Sequence, residues 1–155
     1  SGCDFSRALF TDVAFEGCDL SNAVFDRAGF VRCCFRDCKL TGASFLEASL
    51  GQVELTACAL PYSAFNASSW KAVRARQCDF TAADLSEMTL RHVAFDDDRF
   101  IAASFFRTKL VGIDLTTSYL EDVSFSEGMG EFYATKMTLY QAASLARRLG
   151  VIVEQ

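Results

Sequence analysis

The sequence predicts a solenoid built from five-residue units, and three regularities predict it. From Phe5 to Phe125 every fifth residue is large and apolar, and 24 of these 25 positions hold Phe, Leu or Trp, Ala75 being the exception. A small residue stands two positions before most of these centres, and the other three slots of each unit are mostly polar. A helix repeats its apolar residues every three or four positions and a half-buried strand every second, so a strict period of five fits neither. One such unit cannot bury its centre alone; only stacked neighbours make a core.

Composition narrows the class further. The 155 residues suffice for one domain with a sizeable core, and 51% of them are apolar. No run approaches the roughly 20 apolar residues of a membrane span and no leader opens the chain, so a soluble, cytoplasmic protein is expected. Ser1-Gly2, with a full repeat starting at Cys3, suggests a trimmed or a processed N-terminus. Of seven cysteines, Cys3, Cys18, Cys33, Cys38, Cys58 and Cys78 fall two before a centre, where other units carry Ala, Val or Ser. They are expected to be small buried hydrophobes in a reducing compartment. With His92 the only histidine and no CxxC pair, no metal and no cofactor are expected. His92 occupies an outward slot without a partner base, and no phosphate-cradling motif occurs, so no catalysis is expected.

Taken in order, residues 1–127 form the repeat array, seen clearly in "CDFSR", "CDLSN", "GASFLEASL" and "AADLS". These units resemble the pentapeptide-repeat family, whose consensus is a small residue, a polar one, then Leu or Phe, then two variable positions. The resemblance covers about four fifths of the chain. It implies an all-β solenoid, a right-handed quadrilateral β-helix in which four units make one square coil of 20 residues, centre and small residue inward. About six coils are then expected, a rod on the order of 30 Å long at the inter-strand spacing. One interior column becomes Phe5, Phe25, Phe45, Phe65, Leu85, Phe105 and Phe125; another becomes a thiol ladder of Cys18, Cys38, Cys58 and Cys78.

Two positions break the pattern. Ala75 leaves its corner short of volume in the coil of Trp70, whose indole is expected to fill the space. Asp98 takes an inward slot within "FDDDRF", where hydrogen bonds from backbone amides or a local distortion are expected.

Residues 128–155 change character. The period ends after Phe125 at "SEGMGEFYATKM". Thr138 with Gln141 makes a capping-box pattern, Leu139, Ala142, Ala143, Ala146 and Leu149 recur at helical spacing, and Gly150 stops the helix. Val151-Ile152-Val153 reads as a short strand. The helix is expected to cover the open end of the solenoid.

"LYQAASLARRLGVIV" is similar to the tail of the Qnr quinolone-resistance branch of the family, and "GCDFSRALFTDVAFEGCDLS" to its early coils. The mycobacterial branch has a comparable tail. The resemblance implies a homodimer joined through the C-terminal helix, with Leu139, Tyr140, Leu145, Leu149, Val151, Ile152 and Val153 as capping or dimer residues. Many Qnr proteins carry two loops that interrupt the repeat; here nothing is inserted between Phe5 and Phe125, which points to recognition by the body of the rod.

Sorting charges by twenties assigns them to faces. The face of Phe5 and Phe25 carries Asp4, Asp26, Glu47, Asp84, Glu87 and Glu127 with a net charge of −3. That of Phe15 and Phe35 carries Glu16, Asp37, Glu54, Asp96, Asp97 and Asp114, again −3, and that of Leu20 and Leu40 carries Asp19, Asp79, Glu121 and Asp122, net −2. The fourth face, with Arg32, Lys71, Arg91 and Lys109, is +3. Acidic rows on a straight rod present to a basic groove what duplex DNA presents. The resemblance implies a DNA mimic whose acidic rows bind the DNA-holding surface of a bacterial type II topoisomerase, DNA gyrase or topoisomerase IV, and protect it from quinolones or other poisons. The alternative is an interaction scaffold with an unrelated partner; direct nucleic-acid binding fits poorly with an acidic chain.

Overall fold

The computed structural model describes residues 2–154. Its backbone winds through about six coils, and the pairing rule is a constant step of 20 residues, as in Phe10 opposite Phe30 and Leu50 opposite Trp70. All pairings are parallel. Strands β1 (Leu9–Thr11), β3 (Gly29–Val31) and β7 (Thr89–Arg91) build one face and β2 (Ala14–Glu16), β4 (Cys34–Arg36) and β8 (Ala94–Asp96) the next. Strands β5 (Ser49–Thr56) and β6 (Ser69–Arg76) run through both faces and join them into one eight-stranded sheet. Strands β9 (Arg99–Ile101) and β10 (Tyr119–Glu121) form a separate pair. The two remaining faces, apart from the β9–β10 pair that ends one of them, are held by single bridges at the same step, such as Val24 with Ser44 and Asp19 with Lys39.

The corners explain why five residues make one side. The second residue after the centre has positive φ in every unit from that of Phe5 to that of Leu120, except that of Leu115. On two faces a tight turn accompanies it, the centre's carbonyl accepting from the N–H three residues on, as in Phe25 O with Ala28 N at 3.0 Å. Left-handed backbone costs an L-residue about 1–2 kcal/mol, and Gly, Asn and Asp bear it best. Gly17, Gly42, Gly112, Asn22, Asp12, Asp37, Asp97 and Asp122 hold this slot, but so do Ala57, Ala67, Ala72, Ala82 and Ala102.

Centres and small residues point inward as expected. Phe25, Phe45 and Phe65 are wholly buried and stacked in register, with ring centroids 4.9 and 4.5 Å apart. The rings of the first coil, Phe5, Phe10 and Phe15, are half-buried, since only one neighbouring coil covers them. The thiol ladder is present: Cys38, Cys58 and Cys78 are buried and Cys18 is half-buried, none in a disulfide. Each buried thiol donates to a carbonyl of the previous coil, Cys38 to Phe15 O at 3.1 Å and Cys58 to Phe35 O at 3.3 Å. Burial pushes the Cys38 thiol up to about 11, so it is a packing group and not a nucleophile. Trp70 and Ala75 are both buried, and Phe95, directly above Ala75, inclines toward the indole at 6.1 Å.

Asp98 is fully buried and meets the expected amides: its carboxylate accepts from Cys78 N at 2.9 Å and Asp96 N at 3.1 Å. Burial outweighs those bonds and raises its pKa to about 8.

The end of the rod departs from the sequence reading in two ways. Coil stacking continues past Phe125 with two extra residues: Lys136 pairs with Asp114, and Phe132 and Met137 pack against the core as centres. Glu131, buried, makes the slip tolerable. Its carboxylate accepts from Arg107 N, Ser126 N and Ser126 Oγ, each at 2.8 Å, so a side chain replaces a carbonyl of the missing register. Burial alone would raise this carboxyl, but the bonds from Arg107, its own backbone and Ser126 hold it below its ordinary value.

Helix α1 (Leu139–Arg148) follows, with both bonds of the capping box formed: Thr138 Oγ1 accepts from Gln141 N at 3.1 Å and Gln141 Oε1 from Thr138 N at 2.9 Å. Gln141 also donates its amide to Leu115 O at 2.6 Å and Ser118 O at 2.7 Å, fastening the helix onto exposed carbonyls of the last coil. The second departure is at Val151-Ile152-Val153, which forms no strand. A strand needs a ladder partner, and a single chain offers none there.

Candidate functional site

Outward slots form rows along the rod, because residues 20 apart stand one coil apart. All fourteen acidic residues singled out from the sequence are exposed or half-buried, and no carboxylate among them is sealed in the core.

Rows of acids are partly neutralised within the chain. Glu16 pairs with Arg36 at 3.0 Å, Glu47 with Arg27 at 3.1 Å, Asp96 with Arg76 at 3.6 Å and Asp114 with Lys136 at 3.9 Å. Each partner lies one coil away in the same row. On the basic face Arg32 likewise pairs with Asp12 at 2.8 Å. All five pairs are well exposed, so each contributes about 0–1 kcal/mol, but each also removes a charge from the outward field.

A second group of acids is occupied by turns. Asp19, Asp79, Asp84 and Asp114 each accept from both the N–H and the hydroxyl of the Ser or Thr two residues on, as does Asp4. The hydroxyl bond from Ser21 holds the Asp19 carboxyl below its ordinary value, and that from Thr116 does the same for Asp114. Asp26 accepts from Ser44 Oγ in the next coil. These carboxylates fix the backbone of their own turns or of the next coil.

Asp37, Glu54, Glu87, Asp97, Glu121 and Asp122 remain, exposed and without an ion pair among the described residues. Asp37 and Asp97 share one left-handed corner row, and Glu121 and Asp122 stand together near the helical end. On the basic face Lys71 lies directly opposite Arg91.

The tail residues divide. Leu145 is buried beneath the helix, whereas Leu139, Tyr140, Leu149, Val151 and Ile152 are exposed, Leu139 by 88% and Ile152 by 87%. Sequence reasoning missed Glu131 and the amide of Gln141. The first had no signal in a five-residue period; the second was visible as a cap but not as a clasp on the coil. Among the described residues no group of His, Cys, Asp and Glu has the placement to hold a metal ion, and no helix is long and apolar enough to cross a membrane.

A family model described as the pentapeptide repeat region matches residues 8–79. No curated protein matches the chain. Among solved structures, two trypsin-treated variants of QnrB1, a plasmid-mediated fluoroquinolone resistance protein, follow the same path. One has a TM-score of 0.52 at 23% identity, covering 99% of this chain and 86% of that one. The other has a TM-score of 0.50 at 21% identity, with the same coverage.

Proposed function

We propose, from the premise that this chain is a pentapeptide-repeat protein, that it is a non-enzymatic, Qnr-like DNA mimic. It would bind a bacterial type II topoisomerase, DNA gyrase or topoisomerase IV, and protect it from quinolones. The observation that carries the reading is the set of outward carboxylates aligned in rows on a rigid, loop-free rod. Duplex DNA places one charge per about 1.7 Å, so about 18 in the 30 Å of such a rod. The fourteen row carboxylates approach that number, and internal pairing trims it. Fixed charge on a stiff body needs no ordering at the moment of binding, which favours association with a basic groove. The likeness to QnrB1 supports the choice of partner.

The exposed patch of Leu139, Tyr140, Leu149, Val151 and Ile152 supports a homodimer through the tail. In a dimer, Val151–Val153 would gain the ladder partner that one chain lacks.

The test is a gyrase supercoiling and cleavage assay with ciprofloxacin. Protection is expected at micromolar protein, and Asp97→Lys combined with Asp37→Lys should abolish it while lowering the melting temperature only slightly, through the less suited side chain at two left-handed corners. Absence of both protection and gyrase binding sinks the reading; protection that survives reversal of these charges sinks the mimicry.

A further inference from the structure

The cleft between the last coils and α1 meets the acidic residues of the rows only at Glu121 and Asp122. It encloses about 750 Å³, with Arg99 and Tyr119 on the coil wall and Tyr140, Ser144, Arg147 and Arg148 on the helix wall. On α1 these positions recur at three- and four-residue spacing, so they share one face. The floor is closed and satisfied, because Gln141 already spends its amide on the carbonyls of Leu115 and Ser118.

Three guanidiniums thus converge on one cavity of a chain whose net charge is −5. None of them has an ion pair among the described residues, although Glu121 and Asp122 line the same cleft. Arg147 and Arg148 also lie at the C-terminal end of α1, where the helix dipole contributes about half a negative charge. Two full charges outweigh it, and Arg99 adds a third from the opposite wall. Tyrosine rings flank the arginines: Tyr119 is 61% exposed and lies 6.0 Å from the Arg99 guanidinium, and Tyr140 is 75% exposed. Forked guanidiniums match phosphate oxygens, and exposed phenol rings offer a platform for a planar base. The volume lies in the usual range for small-molecule sites.

We propose that this cleft binds a nucleoside phosphate, its phosphates held by Arg99, Arg147 and Arg148 and its base laid against Tyr119 and Tyr140. The site borders the acidic rows at Glu121 and Asp122, but arginines and tyrosines hold the ligand, not the carboxylates of the rows. Glu121 and Asp122 oppose it electrostatically and limit affinity.

Isothermal titration of the full chain with ADP, and separately with inorganic pyrophosphate, tests this. One ADP per chain is expected, at a Kd on the order of 10–100 µM. Arg147→Ala with Arg148→Ala should weaken ADP by about tenfold or more, and Glu121→Gln should tighten it. Tyr119→Ala should weaken ADP and leave pyrophosphate unchanged. These side chains are exposed, so thermal melts of the variants should match the parent. An Ile152→Asp variant, made to prevent pairing of chains, should still bind. No saturable ADP binding, indifference to the arginine pair, or loss of binding in Ile152→Asp overturns the proposal. Pyrophosphate binding as tightly as ADP overturns the part assigned to the tyrosines.

Discussion

At Asp98 a single carboxyl is buried in a column that continues the thiol ladder, with Cys78 one coil below and Ser118, whose hydroxyl accepts from Asp98 N at 3.1 Å, one coil above. Its pKa is raised from 3.8 to about 8, so the folded state holds a proton that the unfolded chain gives up. Its contribution is therefore fully present below pH 3.8, declines as pH rises, and is lost above about pH 8. Asp98→Asn keeps the oxygen that accepts from an amide, and should flatten the fall in melting temperature between about pH 4 and about pH 8. Glu131 behaves oppositely: its lowered pKa stabilises above the ordinary Glu range, and Glu131→Ala should cost about 2–3 kcal/mol at neutral pH by orphaning Arg107 N and Ser126 N. Denaturant melts at pH 7 measure that loss. The left-handed alanines give a prediction of opposite sign. At Ala67 or Ala72, with φ of 59° and 57°, glycine should stabilise by about 0.5 kcal/mol, strain relief exceeding the added chain entropy.

Among elements, the coils were legible and the joint to the helix was not. A period of five fixes which side chain of each unit faces inward, because the centre slot is uniformly apolar and the small slot mostly so, and Phe25, Phe45 and Phe65 stack as that period requires. Thr138 and Gln141 announced the start of α1, and the capping box forms. The two-residue slip before Lys136 was invisible, since Glu131 compensates for it through a side chain brought close only by the fold. The corner geometry left a faint trace, Gly, Asn and Asp in one slot, diluted by alanines. As for the acidic candidates, their outward placement followed from the period. Which ones are engaged by Ser, Thr, Arg or Lys depended on neighbours 2 or between 18 and 22 residues away, and Asp37 and Asp97 emerged as unpaired only with those contacts in hand. Gln141→Ala should loosen α1 by about 1–3 kcal/mol through two orphaned carbonyls and a lost cap, seen as faster hydrogen exchange of helix amides with the coils unaffected.

For the molecule as a whole, the exposed tail and the polar rod predict different sensitivities. Ile152→Asp or Leu149→Glu should leave the melt of a single chain nearly unchanged while halving the mass measured by light scattering, if the tail joins two copies as proposed. Raising salt should weaken topoisomerase binding through the rows and leave the tail contact in place, since screening acts on exposed charge and not on apolar burial.

The constant pairing step has a consequence for how such a chain tolerates changes in length. Since each coil touches only the coils above and below it, at a distance of 20 residues, deleting one whole turn would shorten the rod and leave every row continuous. Deleting a single unit would instead rotate everything downstream by a quarter turn. The stacking would survive, large centre on large centre, but Glu121 and Asp122 would come round onto the side of Asp97, and α1 would swing to another compass point. Insertions and deletions in such a gene therefore act as a dial on surface orientation, with four settings and one fold.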